Sequence, residues 1–342
     1  MALSKRERVR RATRREPLDR LPTQINTTPA MRGLLSEYLG VPSADLDVRL
    51  GNHLLRVDLS HPRRLSPDGS TAFDWWGAGW STETEGYWHT HAPVGDTEDL
   101  DAMEWPDPDS PDLLTGATEA MVRNEDERFI VPNLGFALFE RAWSLRGYEQ
   151  INMDLALRPG WVEDLLDRIA AIQVQLIERY VALGVDGGYF GDDYGAQRGL
   201  LFSPRTWQRL FRPRLERMFA PFREAGLPII MHSDGDIQSI LPDLVEIGLN
   251  CLNPAQPEVL DFTWLRRTFP HLSYYGGIST QHVLPDGTPA EVSTAVDRSI
   301  AQLADDGSGL LVGPSHRMQS DIPLANIDAM LAAMARIEEK PS

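Results

Sequence analysis

The 342-residue chain predicts an α/β protein built as a single (β/α)8 barrel spanning residues 1–342, with an N-terminal helix and an inserted aromatic β-hairpin. Three observations lead there. From about residue 160 onward, helix-like segments end in Gly and a short apolar stretch follows: Leu183-Gly184-Val185-Asp186, Ala225-Gly226-Leu227-Pro228 and Ile247-Gly248-Leu249-Asn250. Gly just past a helix supplies the left-handed residue that turns the chain into a strand. Apolar runs then end abruptly in polar clusters, most sharply in Leu227-Pro228-Ile229-Ile230-Met231-His232-Ser233-Asp234-Gly235-Asp236. That is how a buried parallel strand delivers polar groups at its carboxyl end. Finally, the candidate strands number eight, the count that closes such a barrel.

In chain order, Lys5, Arg6, Arg8, Arg10, Arg11, Arg14, Arg15 and Arg20 interleave with Leu3, Val9 and Ala12, and read as a helix with a solvated basic face. Strands are expected at 21–26, 53–58 and 129–133. Between the second and third lies a Gly-containing stretch rich in aromatics, with Phe73, Trp75, Trp76, Trp80, Tyr87, Trp88, His89 and His91. It predicts a β-hairpin whose rings either form a dimer contact or satellite core, or wall the barrel mouth against an apolar substrate. The acidic, Pro-rich run from Asp99 to Asp112 reads as a connector. Further strands follow at 186–191, 228–232, 249–253, 273–277 and 309–313. Helices are expected at 161–183, 204–224, 237–247, 258–268 and 289–304. Ser203-Pro204 and Thr288-Pro289-Ala290-Glu291 mark helix starts, the second with the Glu of a capping box. Alternating β and α segments imply parallel strands joined by right-handed crossovers. An open doubly wound sheet would need a Gly-x-Gly-x-x-Gly turn after its first strand, and none is present.

Composition excludes several functions. A net charge of −17 argues against nucleic acid and anionic membrane as partners. No stretch approaches the roughly 18 apolar residues of a membrane span, and the charged N-terminus lacks an apolar signal core. A single cysteine, Cys251, precludes an internal disulfide and suits a reducing compartment, so the cytoplasm is expected. His-Glu-x-x-His, Cys-x-x-Cys, Gly-x-Ser-x-Gly and Walker patterns are missing, which removes the common hydrolase and nucleotide readings.

Chemistry in a parallel barrel sits at the carboxyl ends of the strands. There the sequence places Asn133; Asp192, Asp193, Tyr194 and Gln197; His232, Asp234 and Asp236; Asn253 and Gln256; and Ser315, His316 and Arg317. Asp192 and Asp193 could be paired carboxylates for acid–base work, or one could cap the next segment. His232, Asp234 and His316 form the sharper set: two imidazoles and a carboxylate are a ligand group for zinc or iron with positions left open. A loop histidine bonded to backbone is the bland alternative for His316.

Several phrases resemble the uroporphyrinogen decarboxylase superfamily: Gly191-Asp192-Asp193-Tyr194-Gly195, His232-Ser233-Asp234-Gly235-Asp236, Tyr275-Gly276-Gly277-Ile278-Ser279, Leu284-Pro285-Asp286-Gly287-Thr288-Pro289, and Gly313-Pro314-Ser315-His316 with Asp321-Ile322-Pro323. The resemblance implies a single (β/α)8 barrel, but not one reaction, since it spans porphyrin decarboxylases and corrinoid-linked methyltransferases. The decarboxylases carry Met-Arg-Gln-Ala-Gly-Arg after the first strand; here stands Thr23-Gln24-Ile25-Asn26-Thr27-Thr28-Pro29-Ala30, with the next arginine at Arg32. Without that arginine pair a polyanionic tetrapyrrole is disfavoured. The methyltransferases hold zinc on His-x-Cys and a later Cys. His232 matches the first ligand, while Asp234 and His316 stand where the thiolates would be, a harder set that leaves zinc, iron or manganese open.

The resemblance therefore implies an enzyme acting on a small organic substrate by metal-assisted methyl transfer or demethylation, with a corrinoid protein as partner. Metal-free decarboxylation through His316 and an aspartate is the alternative, and a non-catalytic binding barrel the third. In the first reading His232, Asp234 and His316 hold the metal and Asp192, Asp193 and His316 are catalytic. Asn133, Tyr194, Gln197, Asn253, Gln256, Arg317, Trp75 and Trp76 bind substrate.

Overall fold

The computed structural model of the protein describes residues 2–339 apart from Glu85 and Tyr87. Tyr87, one of the expected aromatic residues of the insertion, thus lies outside the described residues. The centre is a curled sheet of seven parallel strands in chain order. These are β1 (Leu54–Val57), β2 (Phe129–Gly135), β3 (Gly188–Gly191), β4 (Ile229–His232), β5 (Cys251–Ala255), β6 (Ser273–Ile278) and β7 (Leu310–Pro314). They are short and almost wholly buried, as strands flanked by helices on one side and core on the other must be. Five of the eight strands expected from sequence coincide with β3 to β7 within a few residues, and 53–58 and 129–133 with β1 and β2.

The first expected strand, 21–26, is not a regular strand. It contributes bridges between Thr23 and Val312 and between Thr27 and Met318. Gln24 N–H donates to Val312 O and Val312 N–H to Pro22 O, at 2.9 and 2.8 Å, while His53 N–H donates to Thr23 O at 3.0 Å. Both edges of the sheet therefore reach the same three residues. The approach is close: a Cβ on Gly313 would lie 2.0 Å from Gln24 O, so only Gly fits there.

Helices follow the strands. Pro159–Leu183, Arg212–Glu224, Leu241–Glu246, Phe262–Thr268, Pro289–Leu303 and Leu324–Glu339 pack around the sheet. Thr288 and Glu291 form the expected capping box, and Ser203 caps the helix that starts at Pro204. The expected helices 237–247 and 258–268 begin four residues late, at Leu241 and Phe262. In the first, Asp236 folds back to accept from Gln238 N–H at 3.1 Å and delays the start; in the second, the N-cap is Asp261.

Two additions flank the sheet. Helix Lys5–Ala12 is not merely a solvated basic rod. Val9 and Ala12 are fully buried and join Leu54, Phe129, Cys251 and Leu311 in the inner core. Its cations are paired, Lys5 with Asp126, Arg8 with Asp19 and Arg6 with Asp186. Between β1 and β2, the expected hairpin is a larger four-stranded antiparallel sheet of Arg64–Leu65, Thr71–Phe73, Gly79–Ser81 and His89–His91.

Candidate active site

A cavity of about 670 Å3 opens over the carboxyl ends of the strands. His232, at the end of β4, and His316, two residues past β7, line one side of it, and Asp234, just beyond β4, lies beside them in a smaller neighbouring pocket. Gly195 and Gly235 let the loops after β3 and β4 pack together. A Cβ on Gly195 would meet Asp234 O at 2.6 Å, and one on Gly235, whose φ is +81°, would meet Gly195 backbone at 2.5 Å. Backbone thus packs on backbone, and Asp234 N–H donates to Asp193 Oδ1 at 2.8 Å.

The three side chains converge. Asp234 Oδ1 lies 3.6 Å from His232 Nε2, and its Oδ2 lies 3.6 Å from His316 Nε2. One ligand atom from each falls within 4.8 Å of the others. Ligand atoms at about 2.1 Å from a tetrahedral ion are about 3.4 Å apart, so side-chain movements that shorten the longer separation would let the set hold a divalent ion. The tautomer of His232 follows from its other nitrogen. Nδ1 lies 2.8 Å from Asn253 Oδ1, which also accepts from the Tyr189 hydroxyl at 2.7 Å. Asn253 Nδ2 donates to Tyr275 O at 3.1 Å and fixes the amide. Oδ1 is an acceptor, so Nδ1 carries the proton and Nε2 presents its lone pair to Asp234 and the cavity. Burial holds the His316 pKa below the usual imidazole range, against the pull of Asp234, which favours the neutral, ligating form.

The paired aspartates separate. Asp193 lines the cavity, 3.8 Å from His232 Nε2, and burial raises its pKa while His232 opposes the shift. Asp192 is fully buried and does not line the cavity: it accepts from the N–H groups of Leu138, Phe139 and Glu140, at the start of helix Phe139–Arg146, and from the Tyr194 hydroxyl. Burial pushes it up to about 6, against those hydrogen bonds. Tyr194 is spent on that contact and packs among Phe139, Trp207 and Phe211, away from the cavity lining. Gln197 is exposed on the turn joining Gly195–Ala196 to Gly199–Leu200. Both depart from the expected substrate-binding role. A strand end alternates its side chains, and here the chain turns after Asp192, so only one neighbour of the pair reaches the mouth.

Asn133, Asn253 and Arg317 line the cavity. Gln256 instead lines a neighbouring pocket of about 210 Å3, shared with Asp234, His316 and Arg317. Trp75 and Trp76 face the main cavity with Trp80, Phe136 and Trp143. The rings pack edge to face, Trp75 on Trp76 at 5.5 Å, Trp80 on Phe136 at 4.8 Å and Trp80 on Trp143 at 5.9 Å between centroids. Trp88, 67 % exposed, stands outside it.

Three cavity residues escaped the strand-end reasoning. Glu140 sits in the first turn of the helix after β2, in a Phe-Glu-Arg-Ala sequence that reads as ordinary helix surface. Burial, then Asp193 and Asp192, raise its pKa well above the carboxylate range. Arg141 bonds Asp74 at 2.6 Å and lies over Trp76. Arg56 lies within β1, its guanidinium 3.9 Å over the Tyr189 ring. Alternation along the strand was the available signal for Arg56, an isolated cation in an apolar run.

A family model described as uroporphyrinogen decarboxylase (URO-D) matches residues 71–337. The chain belongs to the uroporphyrinogen decarboxylase family. Among solved structures it is similar to a methyltransferase from Methanosarcina mazei, at 17% identity and a TM-score of 0.74, with 98% of this chain and 99% of that chain covered. A B12-independent methionine synthase from Shewanella sp. W3-18-1, in complex with selenomethionine, matches at 10% identity and a TM-score of 0.53, over 93% and 95% of the two chains. At these identities the likeness concerns the fold. No curated protein matches the sequence. Among the described residues, no helix is long and apolar enough to cross a membrane.

Proposed function

We propose that this member of the uroporphyrinogen decarboxylase family is a cytoplasmic enzyme that removes or transfers a methyl group of a small organic substrate with the help of a divalent metal. One observation carries the reading: His232, Asp234 and His316 bring one ligand atom each within 4.8 Å of the others, and Asn253 turns the His232 Nε2 lone pair toward Asp234. These three residues would hold the ion, zinc first and iron or manganese as alternatives; when bound, it supplies Lewis acidity to polarise substrate or leaving group. The harder oxygen and nitrogen donors make this a different centre from a thiolate site.

The chain's own groups do the rest. Glu140 faces the cavity with its pKa raised by burial, Asp193 and Asp192, and would serve as the proton donor for the heteroatom left after methyl departure. Asp193 accepts from Asp234 N–H and holds that ligand loop in place. Asn133 and Arg317 orient the substrate, and the tryptophan wall keeps water from it. The names of the similar methyltransferase and methionine synthase support the reaction class, and a corrinoid protein is the proposed partner. Residues 22–24, bonded on both sides, act as the eighth strand of a (β/α)8 barrel covering the whole chain, with the antiparallel sheet as an insertion. The nearness of His316 to Asp234 and of His232 to Asp193 also suits metal-free decarboxylation, in which His316 and Asp193 move the proton.

Elemental analysis separates the two. Protein purified without chelator is expected to hold about one equivalent of a transition metal, lost in His232→Ala, Asp234→Ala and His316→Ala together with methyl transfer. Well under one equivalent, with no gain on adding zinc, iron or manganese, would leave decarboxylation as the better reading.

A further inference from the structure

We infer that the main cavity takes a neutral aryl methyl ether: one flat ring on a floor of two glycines, its methoxy end at His232 and its far edge at the tryptophan wall. The inference rests on the methyl-transfer reading proposed above and adds the substrate class. The floor follows from strand register. Gly135 of β2 pairs with Gly191 of β3, Gly191 with His232 of β4, and His232 with Asn253 of β5. Partners in such a row turn their side chains to one face of the sheet, and all four line the cavity. Between His232 and Phe136, the residue after Gly135, the row therefore offers bare backbone. The gap is two strand spacings of about 4.8 Å, about 10 Å in all and roughly the length of one ring with its ether group. Neither glycine has the positive φ that would demand one. A Cβ on Gly135 would rest in ordinary contact, 3.7 Å from Asn133 Oδ1, and one on Gly191 would come within 3.3 Å of Gly135 Cα. Glycine weakens a strand interior, and beside a cavity it leaves room for a ligand to lie close on the backbone.

Floor and wall together select a ring. The floor's peptide groups are paired: Gly191 O accepts from Ala137 N–H at 2.9 Å, and His232 O from Asp192 N–H at 3.0 Å. A ligand there meets satisfied backbone and is held by surface contact rather than by hydrogen bonds. At the far end Phe136 packs edge to face on Trp80 and Trp143, at 4.8 and 5.5 Å between centroids, which keeps the wall in place without a ligand. Arg141 lies 5.1 and 5.6 Å from the centroids of Trp76 and Phe136 and pairs with Asp74. A quaternary ammonium at the wall would meet that like charge, so the ring is neutral. The row also fixes which end reacts. His232 is the first side chain beyond the glycines; its Nε2 stands 3.6 Å from Asp234 Oδ1, and Asp234 Oδ2 stands 3.6 Å from His316 Nε2. A methoxy group at that end lies beside all three, and the ring carbon opposite it points to Phe136.

Four of the nine tryptophans line the cavity, so binding to the metal-free protein is read by quenching of intrinsic fluorescence, checked by calorimetry. Methoxybenzene is expected to bind about 2- to 10-fold more tightly than methoxycyclohexane, the value of an added aromatic pair, and more tightly than phenyltrimethylammonium. Gly135→Ala and Gly191→Ala each raise a methyl group from the floor and are expected to weaken methoxybenzene about tenfold. Thermal melts show which variant is folded, and Gly135→Ala carries the test if Gly191→Ala is not. Orientation is read by lengthening either end of the probe. Butoxybenzene is expected to bind the wild type about tenfold more weakly than methoxybenzene and to recover in His232→Ala but not in Trp80→Ala. The opposite holds for 4-tert-butylmethoxybenzene, which recovers only in Trp80→Ala. Equal binding of methoxybenzene and methoxycyclohexane overturns the inference, as does tightest binding of the ammonium or unchanged binding in folded Gly135→Ala. So does the reverse pattern of recovery, or no binding of methoxybenzene at about 5 mM. Ring selectivity in a protein that holds no metal and transfers no methyl leaves the ring class standing and removes methyl transfer; metal occupancy with methyl transfer but no ring selectivity does the reverse.

Discussion

Replacing Asn253 tests whether the candidate ligand set is oriented from behind. Asn253 Oδ1 is the acceptor for His232 Nδ1–H at 2.8 Å and for the Tyr189 hydroxyl at 2.7 Å, while Nδ2 satisfies Tyr275 O at 3.1 Å. Asn253→Ala removes all three bonds. His232 can then rotate or take the other tautomer, and metal affinity is expected to fall about 10- to 100-fold, as when other outer partners of metal-bound histidines are removed. That is about 1.4 to 2.8 kcal/mol. The variant also leaves a buried hydroxyl and a buried carbonyl without partners, about 1–3 kcal/mol of folding stability each. Asn253→Asp keeps the acceptor for Nδ1–H and loses only the donor to Tyr275 O, so its zinc affinity is expected to stay near or above wild type. Competition against a chromophoric chelator measures the affinities, and thermal melts of the apo forms give the stability change separately. If Asn253→Ala binds zinc within about twofold of wild type, the outer partner is not orienting His232 and the tautomer argument fails.

Three other perturbations follow from particular contacts. His53 is buried and its pKa is lowered to about 3, chiefly by burial and then by Arg20, Lys5 and Arg8. The folded value lies below the unfolded one near 6.5, so the contribution is complete above pH 6.5 and shrinks by about 1.4 kcal/mol per pH unit as pH falls toward 3. Between pH 6.5 and 4.5 the wild type is expected to lose about 2 kcal/mol more than His53→Gln by urea titration, and parallel losses would refute this. Gly235→Ala sets a Cβ 2.5 Å from Gly195 backbone at a φ of +81°; it is expected to cost about 1–3 kcal/mol in a thermal melt, and a neutral result would mean the two loops do not interlock. Thr288→Ala removes the cap from helix Pro289–Leu303 and is expected to cost about 1 kcal/mol, with no change in zinc affinity.

The order of α and β segments was legible because buried parallel strands leave near-continuous apolar runs, as in Ile229-Ile230-Met231, and helices end on Gly. The nearness of His232, Asp234 and His316 was legible for a related reason: the first ends one strand, the second lies just past it and the third follows the last strand. What stayed hidden depends on which way a side chain turns once the strand has ended. Asp192 and Asp193 are neighbours in sequence, yet one binds helix amides and the other faces the cavity. Gln197 and Gln256 looked equivalent to Asn133, but a short turn carries Gln197 into solvent. Glu140 was invisible because its surroundings, not its neighbours in sequence, make it unusual. The segment at 21–26 has strand-like residues, but its bonding pattern depends on a partner 289 residues later, Thr23 to Val312.

The tryptophan wall and the ligand set come from separate stretches of the chain. Trp75, Trp76 and Trp80 belong to the antiparallel sheet between β1 and β2, whereas His232, Asp234 and His316 follow β4 and β7. Phe136, just past β2, and Trp143 and Arg141, in the helix that follows, tie the wall to the parallel sheet. A library randomised at residues 75, 76 and 80 would therefore alter the shape seen by an incoming molecule while leaving the strand ends untouched. Preference and reactivity become independently adjustable, and a chain of this design can acquire a new diet by rewriting one loop-borne sheet.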